Sequence, residues 1–436
     1  MPLRRDPRAL LTIAVAATVP GLVVRLSGLD HHLNAYWRSA AFGAAIIGAS
    51  MLLTWAAEAS ERDLAPAVAI AGLALVAVLP EYAVGAIFAW RGGHAFHTFG
   101  AVCQPASAVA ARHDSPCSLA LANMMGANRL LIGIGWSLVV LVAWWRARSA
   151  RGHLLRGVVL RRSHSIELTF LALASVWCLT LPLRRSVGLV DTAVLFAVFG
   201  VYTARVLGAP TSETALEGVA AFIGDRPARA RRAIVITMLV VAIVVVVLCA
   251  DTFADALVSA GRSVGLRDFF LVQWVAPLAS EAPELMIATV LAWKFRAAVG
   301  LSALVSSKVN QWTLLVGSLP IAFALASSSV HGLPLAAPQR EELALTAAQS
   351  LFGVAVLGNL EVTTAEAMAL FVLFIGEFTL AAVLPAGELP GVRVGFAATY
   401  VVLAAAVLSI KGRDTVALLE DGFRTPHDTL HQPRTD

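Results

Sequence analysis

Two stretches decide how this chain is read: LALVAVLPEYAVGAIFAW at 73–90 and LVQWVAPLASEAPELMIATVLAW at 271–293. Each sets a proline–glutamate pair, Pro80-Glu81 or Pro283-Glu284, inside an apolar run of membrane length. A carboxylate is costly at that depth, so it marks function before it marks structure. A proline removes a helix hydrogen bond and frees backbone carbonyls. The same pair in corresponding places of two halves predicts a duplicated ion site near the bilayer midplane.

The surrounding composition fits that reading. Of 436 residues, 58% are hydrophobic and only 14% charged, against roughly 25% charged in soluble chains. The mean hydropathy is +0.77. The expected fold is an all-α polytopic membrane protein with about twelve transmembrane helices. We place the spans at 10–27, 38–57, 66–90, 118–145, 164–183, 186–207, 233–252, 269–293, 298–327, 341–358, 363–384 and 391–410. The basic balance then reflects arginine-rich loops, not a nucleic-acid partner. The expected partners are the lipid bilayer and inorganic cations. The oligomeric state is not readable.

The loop after span four carries Arg146, Arg148, Arg151, Arg156, Arg161 and Arg162, and the loop after span six Arg226, Arg229, Arg231 and Arg232. Lys294 and Arg296 follow span eight, and Arg184-Arg185 is the main exception. With both termini cytoplasmic, all three basic loops lie inside, as the positive-inside rule requires. The expected location is the cell membrane. Cys178 and Cys249 read as small apolar residues within spans. Cys103 and Cys117 share an outer loop, either as a disulfide or as two free thiols.

Span three runs inside to outside and span eight outside to inside, so the two Pro-Glu helices are antiparallel. This is inverted-repeat topology with discontinuous helices. The expected organisation is an extra N-terminal helix in 1–37, a first repeat in 38–207, a cytoplasmic linker at 208–232 and a second repeat in 233–384. An extra C-terminal helix in 385–410 and a polar, unstructured tail at 411–436 complete it. After each Pro-Glu pair comes an element rich in small and amide residues: LALANMMGANRLLIG (119–133) and LSALVSSKVNQWTLLVG (301–317). Close helix packing explains the small residues. It does not explain Asn123, Asn128, Lys308, Asn310 and Gln311, which need partners at this depth.

These paired segments resemble the two alpha repeats of the sodium/calcium exchanger, or cation/calcium antiporter, superfamily, over roughly residues 38–384. The family pattern is G-T-S-x-P-E, then G-N-x-x-G-S-N-x-x-N/D in the next helix. The second repeat reads Ala279-Ser280-Glu281-Ala282-Pro283-Glu284, then Ser306-Ser307-Lys308-Val309-Asn310-Gln311. The 23 residues from Glu284 to Ser307 are the spacing expected for the family. The first repeat reads Val78-Leu79-Pro80-Glu81, then Ala122-Asn123-Met124-Met125-Gly126-Ala127-Asn128. The resemblance implies that Glu81 and Glu284 coordinate a transported cation. Ser280, Ser307, Gln311, Asn123, Asn128 and the added carboxylate Glu281 are the other candidate ligands. The cations themselves, Ca2+, Na+ or H+, are cargo, and no cofactor is expected. The first repeat has lost most family oxygens: Ala77, Val78, Ala127 and Leu131 stand where ligands are expected. Calcium takes six to eight oxygens, so a divergent site follows.

Glu281 and Glu284 are three residues apart and share a helical face. Close carboxylates resist joint ionisation, and a bound cation drives both to the charged form. Cation and proton then compete for the same oxygens, which is a direct route to antiport. Lys308 is expected to pair with Glu284 or Glu281 as a built-in cation in place of sodium. The outer insert at 91–117 holds His94, His97 and His113 beside Cys103, Asp114 and Cys117, which reads either as a metal-sensing loop or as a surface lid. No Walker motif, His-Glu-x-x-His or Ser/His constellation appears, so neither ATP drive nor enzymatic catalysis is expected. The leading function is a secondary cation antiporter moving Ca2+ or Na+ against Na+ or H+. The alternative is a non-transporting sensor or assembly protein that kept the fold.

Overall fold

The computed structural model describes residues 6–60, 62–63, 79–110, 114–151, 155–207, 216, 218–263 and 268–430. It is a helical bundle of α1 (Pro7–Ser27), α2 (Ala35–Ser60), α3 (Leu79–Phe99), α4 (Pro116–Leu130), α5 (Ser137–Arg151), α6 (Ser165–Cys178) and α7 (Leu189–Leu207). The second half contains α8 (Ala228–Ser263), α9 (Asp268–Trp293), α10 (Ala297–Asn310), α11 (Val316–Ser327), α12 (Ala337–Val356), α13 (Thr364–Val383) and α14 (Leu389–Arg424). Two π-turns, Leu131–Trp136 and Gln311–Leu315, join α4 to α5 and α10 to α11, so each pair makes one pass.

Nine spans among the described residues are long and apolar enough to cross a membrane. With the bent α9 the count among the described residues is ten. The α9 span turns by 57° between Ala282 and Glu284, at the position of Pro283, whose missing N–H cannot continue the helix ladder. The helix α12 carries Arg340, Glu341 and Glu342 near its start, so its first turns are polar.

Four short strands reveal the symmetry. β1 (Gly157–Val159) lies between α5 and α6, β2 (Ser186–Val187) between α6 and α7, β3 (Leu333–Pro334) between α11 and α12, and β4 (Glu361–Thr363) between α12 and α13. β1 pairs with β4 and β2 with β3, both antiparallel. Each pairing joins the third connection of one half to the fourth of the other. A two-fold axis in the membrane plane requires that exchange, and it places the two pairings at opposite ends of the bundle.

One end carries the disulfide between Cys103 and Cys117, so the thiol alternative is closed. The other end carries the start of α1 and the end of α14. There Asp63 accepts from Arg231 (2.6 and 2.7 Å) and Arg232 (2.9 Å). The Arg231 hydrogen bond, with Arg232 beside it, holds the Asp63 carboxyl down at about 2. One expectation is corrected at this end. Residues 411–424 are not unstructured: α14 continues to Arg424, because Arg162 grips Asp421 (2.7 and 2.8 Å) and Arg205 reaches the Gly422 carbonyl (3.2 Å). The 208–232 stretch contains helix Gly218–Gly224 and the first turn of α8; residues 208–215 and 217 lie outside the described set.

Candidate cation site

The site is built where α3, α9 and the π-turn after α10 meet. Ser115 caps α4 by accepting from the Ser118 N–H, and Pro116 supplies the first-turn φ. Asp114 accepts from the Phe269 N–H at 2.9 Å and ties the start of α9 to the same corner. Gly126 lets α4 lie directly on α9. A Cβ there would sit 1.5 Å from the Gln273 carbonyl oxygen, so no other residue fits without moving a helix.

Glu81 and Glu281 are each 2% exposed, and Gln311 is fully buried. The Gln311 amide joins them: its Nε2 donates to Glu281 Oε1 at 2.7 Å and to Glu81 Oε2 at 3.3 Å. Gln311 is the first residue of its π-turn, and such turns commonly re-aim side chains at functional positions. Apart from the contact between the two carboxyls themselves, three acceptors in this cluster have no hydrogen-bond partner: Glu81 Oε1, Glu281 Oε2 and Gln311 Oε1. The adjoining Asn310 Oδ1 has none either, while the Asn310 carbonyl accepts from Tyr82 Oη at 3.3 Å. Buried oxygens without donors are expensive, and a cation is the partner that satisfies several of them together.

The carboxylate opposite Glu81 is therefore Glu281. Glu284, the expected partner, lies past the bend beside Ser307, near enough for its charge to act on both Glu81 and Glu281. Ser280 turns its hydroxyl back to the Pro277 and Ala276 carbonyls (3.2 and 3.4 Å). Asn123 packs under Gly85 on α3, one turn beyond Glu81. Lys308 does not form the expected ion pair. Its ammonium donates to the Asn128 carbonyl and to Asn128 Oδ1, both at 2.6 Å, and lies 4.9 Å from the Trp312 ring centroid. Asn128 and Lys308 occupy equivalent positions in the two halves, so the repeats bond to each other across the symmetry axis.

Arg129 belongs elsewhere. It and Glu342, Glu377, Arg393 and Gln273 form a second buried cluster. The sequence reading passed over Glu377, although a lone carboxylate in FVLFIGEFTLAAV (371–383) is the signal that singled out Glu81. In the 91–117 insert, His97 Nδ1 lies 3.2 Å from the Ser327 carbonyl and His94 packs on Trp90. The two cysteines are consumed by the disulfide, and His113 lies outside the described residues. Among the described residues, no three His, Cys, Asp or Glu side chains converge as a resident metal centre.

The sequence profile of the sodium/calcium exchanger protein family matches residues 105–208 and 234–382. The chain belongs to the sodium/calcium exchanger family. The H+/Ca2+ exchanger CAX is 35% identical, with a TM-score of 0.84 over 96% of this chain and 98% of that one. The Ca2+/H+ antiporter YfkE shares the fold at 14% identity and a TM-score of 0.60, over 86% of this chain and 99% of its own. No curated protein sequence matches. Exchanger-family membership makes this chain a cation antiporter of the membrane. The profile match begins after Glu81, so it is the geometry of α3 that brings the first Pro-Glu helix into the site.

Proposed function

We propose that this chain exchanges Ca2+ for protons by alternating access, with Glu81, Glu281 and Gln311 at the centre of the transported-ion site. The observation that carries the reading is the set of buried oxygens without donors on those three side chains. Ca2+ binding needs both carboxylates charged. When the ion leaves, a proton shared between the two carboxyls relieves their repulsion in a dry site. Release of one ion and uptake of the other are thus the same event on the same atoms. The 35%-identical relative is an H+/Ca2+ exchanger, which supports protons over sodium. The loss of first-repeat oxygens at Ala77, Val78 and Ala127 points the same way.

Glu284, with Ser307, serves in this reading as the next carboxylate along the path, past the α9 bend. Lys308 sets a fixed ammonium against its repeat-equivalent Asn128, so that no second cation is needed there. The arginine-rich end, with the start of α1 and the end of α14, is the cytoplasmic one, and the disulfide end faces the oxidising side. The repeats run over 38–207 and 233–384.

Everted vesicles loaded with a Ca2+ indicator and a pH indicator test this. Imposing a Ca2+ gradient should drive opposite proton movement, abolished by Glu81→Ala and by Glu281→Ala and weakened by Glu284→Ala. Ca2+ movement with no proton signal, or with a sodium requirement, contradicts the proposal.

A further inference from the structure

The second buried cluster has no part in the cation site, yet it touches the residue that holds Lys308. Arg129, 2% exposed, forks its guanidinium between Glu342 of α12 (2.8 Å) and Glu377 of α13. The remaining oxygen of Glu342 takes Arg393 Nε of α14 at 2.7 Å, and its first also takes Gln273 Nε2 of α9 at 2.9 Å. Trp274 covers the Arg129 guanidinium at 4.9 Å. Arg129 and Glu342 thus tie five helices together, and Arg129 is the immediate neighbour of Asn128.

The adjacent residues Gln349 and Ser350 of α12 extend the hold to both halves. Gln349 Nε2 donates to the Arg129 carbonyl at 3.4 Å, just before the first π-turn. Ser350 Oγ accepts from Trp312 Nε1 at 2.5 Å, inside the second π-turn. Asn128 and Trp312 both contact the Lys308 ammonium. Both are therefore anchored by α12, one through Arg129 and one through Ser350. With its partners held this way, Lys308 stays on Asn128 and off the carboxyl cluster three residues further along the same helix, at Gln311.

We propose that Arg129, braced by Glu342 and Glu377, is a positioning residue for transport: it fixes the Asn128 acceptors on Lys308 and so keeps that internal cation from competing with Ca2+ for Glu81 and Glu281. Loosening Arg129 frees the ammonium to approach the carboxylates, and Ca2+ must then displace it. A merely structural role would lower the amount of folded protein and the maximal rate together, with no dependence on Lys308.

The inference rests on the Ca2+ reading above, and a double-mutant cycle separates the two. Initial 45Ca2+ uptake into everted vesicles gives KM and maximal rate per folded transporter for wild type, Arg129→Gln, Lys308→Gln and the double variant. Because Arg129→Gln strands two buried carboxylates, Arg129→Gln/Glu377→Gln is measured in the same way as a charge-balanced replacement. The expected result is a KM for Ca2+ raised about tenfold by either Arg129 replacement, within the usual coupling range of contacting groups. In the Lys308→Gln background the same replacements should leave KM unchanged. Arg129→Lys should not restore it, since one ammonium cannot fork between two carboxylates. Equal effects with and without Lys308 overturn the positioning role while leaving the Ca2+ reading intact. A wild type that moves no Ca2+ overturns both.

Discussion

Gln311 shows what a single side chain decides here. The family pattern expects an acid or a short amide at its position, and Gln reaches one carbon further. That reach lets one amide bridge Glu81 on α3 and Glu281 on α9. The side chain both spaces the carboxylates and offers its own oxygen. Gln311→Ala removes a hydrogen bond to each carboxylate, worth about 1.5–3 kcal/mol for a charged partner. The expected outcome is Ca2+ affinity lowered roughly ten- to hundredfold, with the fold retained, checked by 45Ca2+ equilibrium binding to the purified transporter. Unchanged affinity would remove Gln311 from the site. Much of this was legible in the sequence. Glu81, Glu281, Gln311 and Lys308 all stand out as polar groups at membrane depth. What spacing alone did not yield was which carboxylate faces Glu81. A helix register extrapolated across Pro283 fails, because the chain bends by 57° there. Lys308 was likewise placed by charge logic, whereas the nearest acceptors prove to be an amide and a carbonyl.

At the scale of elements, the close approach of α4 and α9 sets the site. Gly126 is its hinge point, since a Cβ would overlap the Gln273 carbonyl. Gly126→Leu must separate these helices, at a cost above the 1–3 kcal/mol or so of ordinary overpacking. The midpoint of thermal unfolding in detergent should fall by several degrees, whereas the same change at Gly391, with open space around it, should leave it in place. The Asp63 clasp is a second case. Its carboxyl sits below the ordinary 3.8 because Arg231 and Arg232 favour the charged form. Its contribution is therefore complete above 3.8 and is lost as pH falls toward 2. Asp63→Asn should make the end of α2 more open to limited proteolysis at neutral pH, and the difference from wild type should fade toward pH 2. A difference that persists there would assign the effect to packing. The sequence predicted the helices and their order well, because apolar runs this long have few alternatives. It did not predict that α14 continues past 410, since the Arg162–Asp421 and Arg205–Gly422 contacts join residues more than 200 positions apart.

For the whole molecule, the two strand pairings carry the symmetry, and the polar contents break it. The halves share their series of elements and their π-turns, but Asn128 faces Lys308, and among the described residues the buried salt-bridge cluster stands beside α4. Duplicated apolar patterns made the inverted repeat legible. The cluster was not, because Glu342, Glu377, Arg393 and Arg129 lie on four separate helices and only packing brings them together. Removing one charge from such a cluster costs about 3–5 kcal/mol, so Glu342→Ala should fold poorly while Glu342→Ala/Arg129→Met recovers part of the yield, read by fluorescence-detected size-exclusion chromatography. Recovery that does not depend on removing Arg129 would show that the charges are not coupled. The central claim is that Ca2+ binds between the two halves at Glu81 and Glu281. Anomalous diffraction from crystals grown with Ca2+ measures this directly. The account predicts a peak about 2.3–2.6 Å from Glu81 Oε1 and Glu281 Oε2, lost in Glu281→Gln. A peak at Glu284 alone, with the Glu81–Gln311–Glu281 bridge intact, would contradict it.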